Sequence, residues 1–164
     1  MPDIIDTLSI RAGGVHAFQS LLLPNVPARP ERLVPYGESY FRRLERLPWI
    51  AVKRGPTGER TIHDTALRLA LLRFAPPYLI EERDGRELRY AIIGGALAAA
   101  RGGWLALGYR EEAGGLRLWV DVVAYRPRLG VGWLYRGTQV HVHRWITINF
   151  LHAWGRQLSQ NKSE

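Results

Sequence analysis

Three tight-turn signals, each set between runs of alternating apolar and polar residues, constrain this chain more than any other feature. Gly55-Pro56-Thr57-Gly58 joins Trp49–Arg54 to Arg60–His63. Asp84-Gly85 joins Tyr78–Arg83 to Glu87–Ala98, and Glu111–Gly115 joins Gly103–Arg110 to Leu116–Tyr125. Glycine and aspartate in short connections supply the backbone conformations that antiparallel hairpins need, so each signal predicts a paired strand on either side. Leu67–Phe74, closed by Pro76-Pro77, reads as a further strand, although its periodicity also allows a helix starting at Asp64. Ala17–Leu23 is an earlier strand-like run, and Gly130–Leu158 carries one long amphipathic helix beginning near Val131–Leu134. Successive hairpins followed by a helix give an α+β layer and not a doubly wound sheet.

Between the first strand and the hairpins, the Pro-rich turn Pro24–Glu31 sets up a helix start. Pro35 and Gly37 predict a division into two short helices, 31–35 and 37–46, stopped by Pro48. The expected fold is therefore a curved antiparallel sheet of about six or seven strands gripping a C-terminal helix over about 132–157, with two short helices after the first strand. Residues 1–14 read as a poorly tied lead-in, ordered or not, 15–158 as a single domain and 159–164 as a frayed tail. A chain of 164 residues is about one domain and buries roughly two-thirds of its unfolded surface.

The absence of cysteine excludes disulfides, thiolate zinc sites and cysteine nucleophiles. The opening Met1-Pro2-Asp3-Ile4-Ile5-Asp6 is acidic where a secretory leader is basic. The longest apolar stretch, Ala91–Ala100, is interrupted by Gly94 and Gly95 and falls short of the roughly 20 residues that span a bilayer. These features predict a cytoplasmic protein without stable membrane insertion. The net charge of +8 is carried almost wholly by scattered arginines, with only Lys53 and Lys162 as lysines. Phosphate backbones reward clustered cations, so no nucleic-acid partner is expected.

The order of elements resembles the helix-grip, or SRPBCC, superfamily of START-like and polyketide cyclase/dehydrase-like proteins. Val26-Pro27-Ala28-Arg29-Pro30-Glu31 resembles its turn after the first strand. Leu79–Arg83 followed by Leu88-Arg89-Tyr90-Ala91-Ile92-Ile93-Gly94-Gly95 resembles one of its hairpins. Tyr125-Arg126-Pro127-Arg128-Leu129, running into Leu134-Tyr135 and Phe150-Leu151, resembles its last strand and gripping helix. The likeness covers roughly residues 17–158 and implies a cavity between sheet and helix. It brings no universal catalytic residue, because members of that superfamily range from carriers to cyclases, hydrolases and receptors.

Alternation assigns the faces. Arg89, Arg110 and Arg117 point to solvent, so Leu88, Tyr90, Ile92, Leu105, Leu107 and Tyr109 point inward. On the next strand Leu116, Leu118, Val120 and Val122 also point inward. On the helix, His141, Trp145, Ile148 and His152 share one face, with Val142, Ile146, Phe150 and Ala153 beside it and Asn149 between. The candidate ligand-binding set is Trp49 at the mouth, Tyr90, Ile92, Leu107, Tyr109, Leu118, Val120, His141, Trp145 and Asn149. An ordinary filled core is the alternative reading of the same pattern.

No motif implies a cofactor, and Gly94-Gly95 lacks the companions of a phosphate loop. His141-Val142-His143 suggests chelation, but i and i+2 on a helix lie about 200° apart, and His141 and His152 lie about 16 Å apart along the axis. No metal is expected. Glu81 and Glu82 alternate across a strand, so one of them could face inward near Arg73. Asp64 beside His63 is discounted as a catalytic pair, because strand neighbours point opposite ways.

Three functions remain. The chain holds a hydrophobic, lipid- or polyketide-like molecule; or it is a cyclase-, dehydratase- or hydrolase-type enzyme using His141, Tyr90 or Tyr109; or it is an interaction module without a cavity. On the opposite face Ala91, Ile93, Trp104, Ala106, Trp119 and Val123 form an apolar band. A homodimer through Trp104 and Trp119, coverage by the lead-in, or an inverted face assignment would each account for it.

Overall fold

The computed structural model describes residues 3–11, 14–26, 33–99, 101–128 and 140–160. Among these residues nine strands and two helices follow in the order β1 (Asp3–Arg11), β2 (Gly14–Pro24), α1 (Leu33–Leu44), β3 (Ile50–Arg54), β4 (Arg60–Asp64), β5 (Ala70–Phe74), β6 (Tyr78–Glu82), β7 (Gly85–Gly94), β8 (Trp104–Glu112), β9 (Gly115–Tyr125) and α2 (Val140–Gln160). All pairings are antiparallel, in the spatial order β1-β2-β9-β8-β7-β5-β4-β3, with β6 also on β7.

The hairpin registers are those the turns dictate. Arg110 lies opposite Arg117, Gly108 opposite Trp119 and Trp104 opposite Val123. On the edge away from β8, long strand β7 serves two partners: its first half pairs with β6, and Ile92 and Gly94 near its end pair with β5. The Pro76-Pro77 segment lies between those partners, where no ladder donor is needed. Gly95 holds a φ of 125°, and a Cβ there would stand 2.3 Å from the Leu71 carbonyl oxygen, so the close approach of β5 to the end of β7 requires glycine.

Two expectations about the first third change. Residues 3–11 form β1, an edge strand fully registered on β2, and not a poorly tied lead-in. The predicted pair of short helices is one helix, α1. Pro35 is its third residue, where the backbone N–H has no partner within the helix to lose. Gly37 is the close-approach point: a Cβ there would meet the Tyr90 hydroxyl at 2.6 Å. The onset of the terminal helix expected at 131–134 and the turn at 27–30 lie outside the described residues. Ser159, expected in a frayed tail, is still helical.

Both helices cover the same face of the sheet. α2 packs on β2 and β9, and α1 on α2, β3, β7 and β8. Gly155 lets α2 settle on β2, since a Cβ there would stand 2.7 Å from Leu23 Cδ2. Between the helices and strands lies an aromatic cluster. The Tyr36 ring stacks 5.0 Å from Phe150, Tyr40 meets Phe150 edge-on at 5.2 Å, and Phe41 meets Tyr90 at 5.1 Å. Every strand residue assigned inward from β7, β8 and β9 is buried.

Candidate functional site

The covered face of the sheet is filled unevenly. α1 lies across the β7–β8 region, so Tyr90, Leu107, Leu118 and Val120 are each 1% exposed or less and belong to solid core. Tyr109, at 7%, is buried with them. Beside this core, between the helices and strands β3, β4 and β5, a cavity of about 480 Å³ opens. That volume lies within the range of about 300–1,000 Å³ typical of small-molecule sites.

The cavity is floored by Phe74, Ile92, Leu105 and Val122 from β5, β7, β8 and β9. Its sides come from Leu72 and Ile62, from Tyr40 and Leu44 of α1, and from Ile146 of α2. Trp49 and Val142 reach it from opposite sides while remaining 51% and 41% exposed, which places them at the mouth. Among the described residues, no lysine or arginine lines it.

Among the described residues, four polar side chains besides the Trp49 indole interrupt this wall. Tyr125 donates its hydroxyl to the Leu97 carbonyl at 2.7 Å. The Asp64 carboxylate accepts from the Leu67 backbone N–H at 2.6 Å, which folds the β4–β5 turn back beside Trp49. The Thr65 N–H donates to the Trp49 carbonyl at 3.0 Å and fixes that contact. The remaining pair is Tyr40 and His143, whose hydroxyl and Nε2 lie 3.3 Å apart.

His143 keeps some surface exposure, yet its surroundings strip water from the imidazole, and this desolvation pulls its pKa down to about 4 against a smaller opposing pull from Asp6. The ring is therefore neutral at pH 7. It divides the cavity from a polar cleft of about 280 Å³ that holds Asp6, Gln19, His141 and Arg144. There Gln19 Nε2 donates to Asp6 Oδ1 at 3.0 Å, and Arg144 pairs with the other oxygen of the same carboxylate.

Of the expected ligand-binding residues, Trp49 and Ile92 line this cavity. Tyr90, Leu107, Tyr109, Leu118 and Val120 point inward as alternation requires, but they are buried in the core beneath the two helices. On α2 the buried face carries Ile146, Thr147, Phe150, Leu151, Trp154 and Leu158. His141 lies on the polar cleft, and Trp145 is 62% exposed. Asn149 donates to the Trp145 carbonyl of its own helix at 2.8 Å, which meets its hydrogen-bonding need locally. The helix is thus turned so that His143, and not His141, faces the cavity. Glu81 and Glu82 are both exposed, and Glu81 pairs with Arg86 at 3.2 Å. Among the described residues, no group of three or more His, Asp or Glu side chains is placed to hold a metal ion.

Sequence reasoning missed Tyr40, and it weighed Asp64 and His143 only as members of a catalytic and a chelating pair, not as cavity residues. Tyr36, Tyr40, Phe41 and Leu44 recur at helical spacing, and treating Pro35 as a first-turn residue would have revealed that face.

The outer face carries the tryptophan band in closed form. Trp119 lies over Gly108 and donates its indole N–H to Glu87 at 3.1 Å. The Arg89 guanidinium sits 4.9 Å above the Trp104 ring. Because β1 extends the sheet edge, it does not fold over this band. Ile5, Tyr78 and Ile93 stay exposed on the same face.

A long antiparallel sheet with a C-terminal helix packed on it is consistent with a helix-grip topology. No helix among the described residues is long and apolar enough to cross a membrane. Comparison with known proteins finds no matching family model, no similar curated protein and no similar solved structure.

Proposed function

We propose that the protein binds a hydrophobic small molecule, lipid- or polyketide-like, in the cavity between the sheet and its two helices, in the manner of SRPBCC proteins. The observation that carries this reading is the apolar cavity of about 480 Å³ between the sheet and the helices. Protein interiors pack at the density of organic crystals, and voids larger than a water molecule are few. A cavity of this size with exposed aromatic and aliphatic residues at its mouth is suited to a guest. An interaction module would have no need of it.

Native mass spectrometry of the purified protein tests the proposal. A co-purifying neutral mass, displaced by added lipophiles, supports it. A bare chain that takes up none of a broad lipid and polyketide panel removes it.

The Tyr40–His143 couple favours a second reading: a cyclase-, dehydratase- or hydrolase-type enzyme using the same cavity. A neutral imidazole in hydrogen-bond reach of a phenol has the composition of a general acid–base pair. Turnover of a bound guest that is lost in Tyr40→Phe, with binding retained, would select this reading over simple carriage.

A further inference from the structure

A second concavity, polar and separate from the apolar cavity, lies between α1 and α2. It is a cleft of about 200 Å³ bordered by Phe150. Ser39, Arg42, Arg43 and Arg46 recur at i, i+3, i+4 and i+7, so the end of α1 and the turn after it present one face to this cleft. The turn keeps the helical spacing, because the Arg46 N–H donates to the Arg43 carbonyl at 3.2 Å. From α2 come Ala153, Trp154 and Gln157, and Arg156 stands near enough to repel Arg43. The Tyr36 ring of α1 packs 5.0 Å from Phe150 and 4.9 Å from Trp154, which fixes the distance between the two helices at this point.

Arg42, Arg43, Arg46 and Arg156 therefore share one neighbourhood, although like charges a helical turn apart repel. Burial disfavours the charged form of half-buried Arg43, and Arg46 and Arg156 disfavour it further. The nearest acids in the sequence are turned to other partners. Glu45 accepts from Arg54 through both oxygens, at 3.1 and 3.0 Å, and Glu38 pairs with Arg54 and Arg60. A helix C-terminus attracts cations within its last turn, which gives Arg42 and Arg43 a local reason for their places. Arg156 precedes the last turn of α2, so the same effect does not explain a cation brought there against Arg43. A shared anion does explain it. A guanidinium presents its N–H groups as a planar fork that fits a phosphate, and Ser39 and Gln157 add neutral donors.

We infer that the cleft between α1 and α2 binds a phosphate group, as the free ion or as the phosphoryl end of a small molecule, with Arg42, Arg43 and Arg46 as its cradle. The site is independent of the apolar cavity and of the guest proposed for it. Its size limits the ligand: about 200 Å³ is less than the roughly 300–1,000 Å³ of sites that enclose a whole drug-sized molecule. A compact anion, or the anionic end of a larger molecule, fits that space. A phosphoryl group carries a charge of about −1.5 to −2 at pH 7, so one ligand offsets the mutual repulsion of several arginines.

The test uses the full chain at pH 7.5, with ionic strength held constant by chloride. Inorganic phosphate and glycerol 3-phosphate are titrated calorimetrically into the wild type, Arg43→Gln, Arg46→Gln and Arg101→Gln, and thermal midpoints are measured alongside. Arg101 is exposed in the β7–β8 connection, so its loss changes the net charge equally and leaves the cleft intact. Saturable binding is expected, weakened about tenfold by Arg43→Gln and by Arg46→Gln, the loss of roughly one hydrogen bond to a charged group, and unchanged by Arg101→Gln. Without ligand, the midpoints of Arg43→Gln and Arg46→Gln should equal or exceed that of the wild type, because a repulsion has been removed. Tighter binding of the ester assigns the cleft to a phosphorylated small molecule, and tighter binding of the inorganic ion assigns it to free phosphate. Heats that never saturate, or an equal loss in Arg101→Gln, would reduce the effect to general screening and overturn the inference. Lower midpoints in Arg43→Gln and Arg46→Gln with phosphate binding intact would show that the arginines only hold the end of α1. A single-stranded oligonucleotide that displaces phosphate at lower concentration than the ester would make the cleft part of a nucleic-acid surface and equally contradict it.

Discussion

Replacing His143 by glutamine should flatten the acid limb of the protein's stability curve. The imidazole meets Tyr40 from α1, lies by Asp6 of β1 and Gln19 of β2, and shares its own helix with Arg144 and His141. Burial sets its folded pKa at about 4 against an ordinary value of 6.5. An unfolded chain therefore takes up a proton near pH 6.5, whereas the folded chain does so only near pH 4. As pH falls between those limits the unfolded state binds more protons, and stability is lost. At about 1.36 kcal/mol per pKa unit, the loss over the whole window is roughly 3 kcal/mol, an upper figure because the residue keeps some exposure. The assay is urea denaturation followed by tryptophan emission at half-unit steps from pH 4.5 to 7.5. Wild type minus His143→Gln should fall by about 2 kcal/mol on going from pH 7.5 to 4.5. Parallel curves would show that the ring is hydrated in the folded protein, and the neutral polar couple would have to be abandoned.

Asp121 should act in the opposite sense. Burial and the nearby Glu87 raise its pKa to about 6, so the folded state binds the extra proton and stability rises as pH falls through 6 towards 3.8. Asp121→Asn is therefore expected to stabilise by about 1–3 kcal/mol at pH 7, after allowance for solvent screening, with the gain gone by pH 4; a variant no more stable at pH 7 refutes it. Gly108→Ala should cost about 1–3 kcal/mol, because its Cβ would stand 2.4 Å from the Trp119 ring and displace the indole from Glu87. A chemical-denaturation midpoint equal to wild type would show that Trp119 has room to move. For the proposed homodimer through Trp104 and Trp119, sedimentation should show a concentration-dependent dimer that Trp119→Glu abolishes. A wild type monomeric at high micromolar concentration removes that proposal.

Much of the sheet can be read from local chemistry, because a hairpin turn sets register. The Glu111–Gly115 connection alone places Trp119 on Gly108 and Trp104 beside Val123. β1 escaped because an edge strand needs no continuous apolar stripe: Ile4, Ile5, Leu8 and Ile10 are interleaved with Asp3 and Asp6 and remain exposed. α1 escaped because a proline in the first turn looks like a proline that ends a helix. The rotation of α2 was not legible because the helix is apolar on most sides, so periodicity could not choose between His141 and His143. The buried Gly155 against Leu21 and Leu23 does make that choice, but only once β2 is known to lie beneath it. The site was harder still. Tyr90 and Leu107 alternate inward just as Ile92 and Leu105 do, and what separates core from cavity is which of them α1 covers, a tertiary fact.

The most direct test of a guest-binding cavity is to fill it and ask whether binding alone is lost. Val122 is buried on β9 and lines the void, so Val122→Phe places a ring in the space a guest would occupy. Uptake of 1-dodecanol, measured as the one-to-one complex in native mass spectra, should fall at least tenfold with the thermal midpoint unchanged or raised, because filling a void does not overpack the chain. Unchanged uptake by a folded Val122→Phe would place the guest elsewhere and contradict the account.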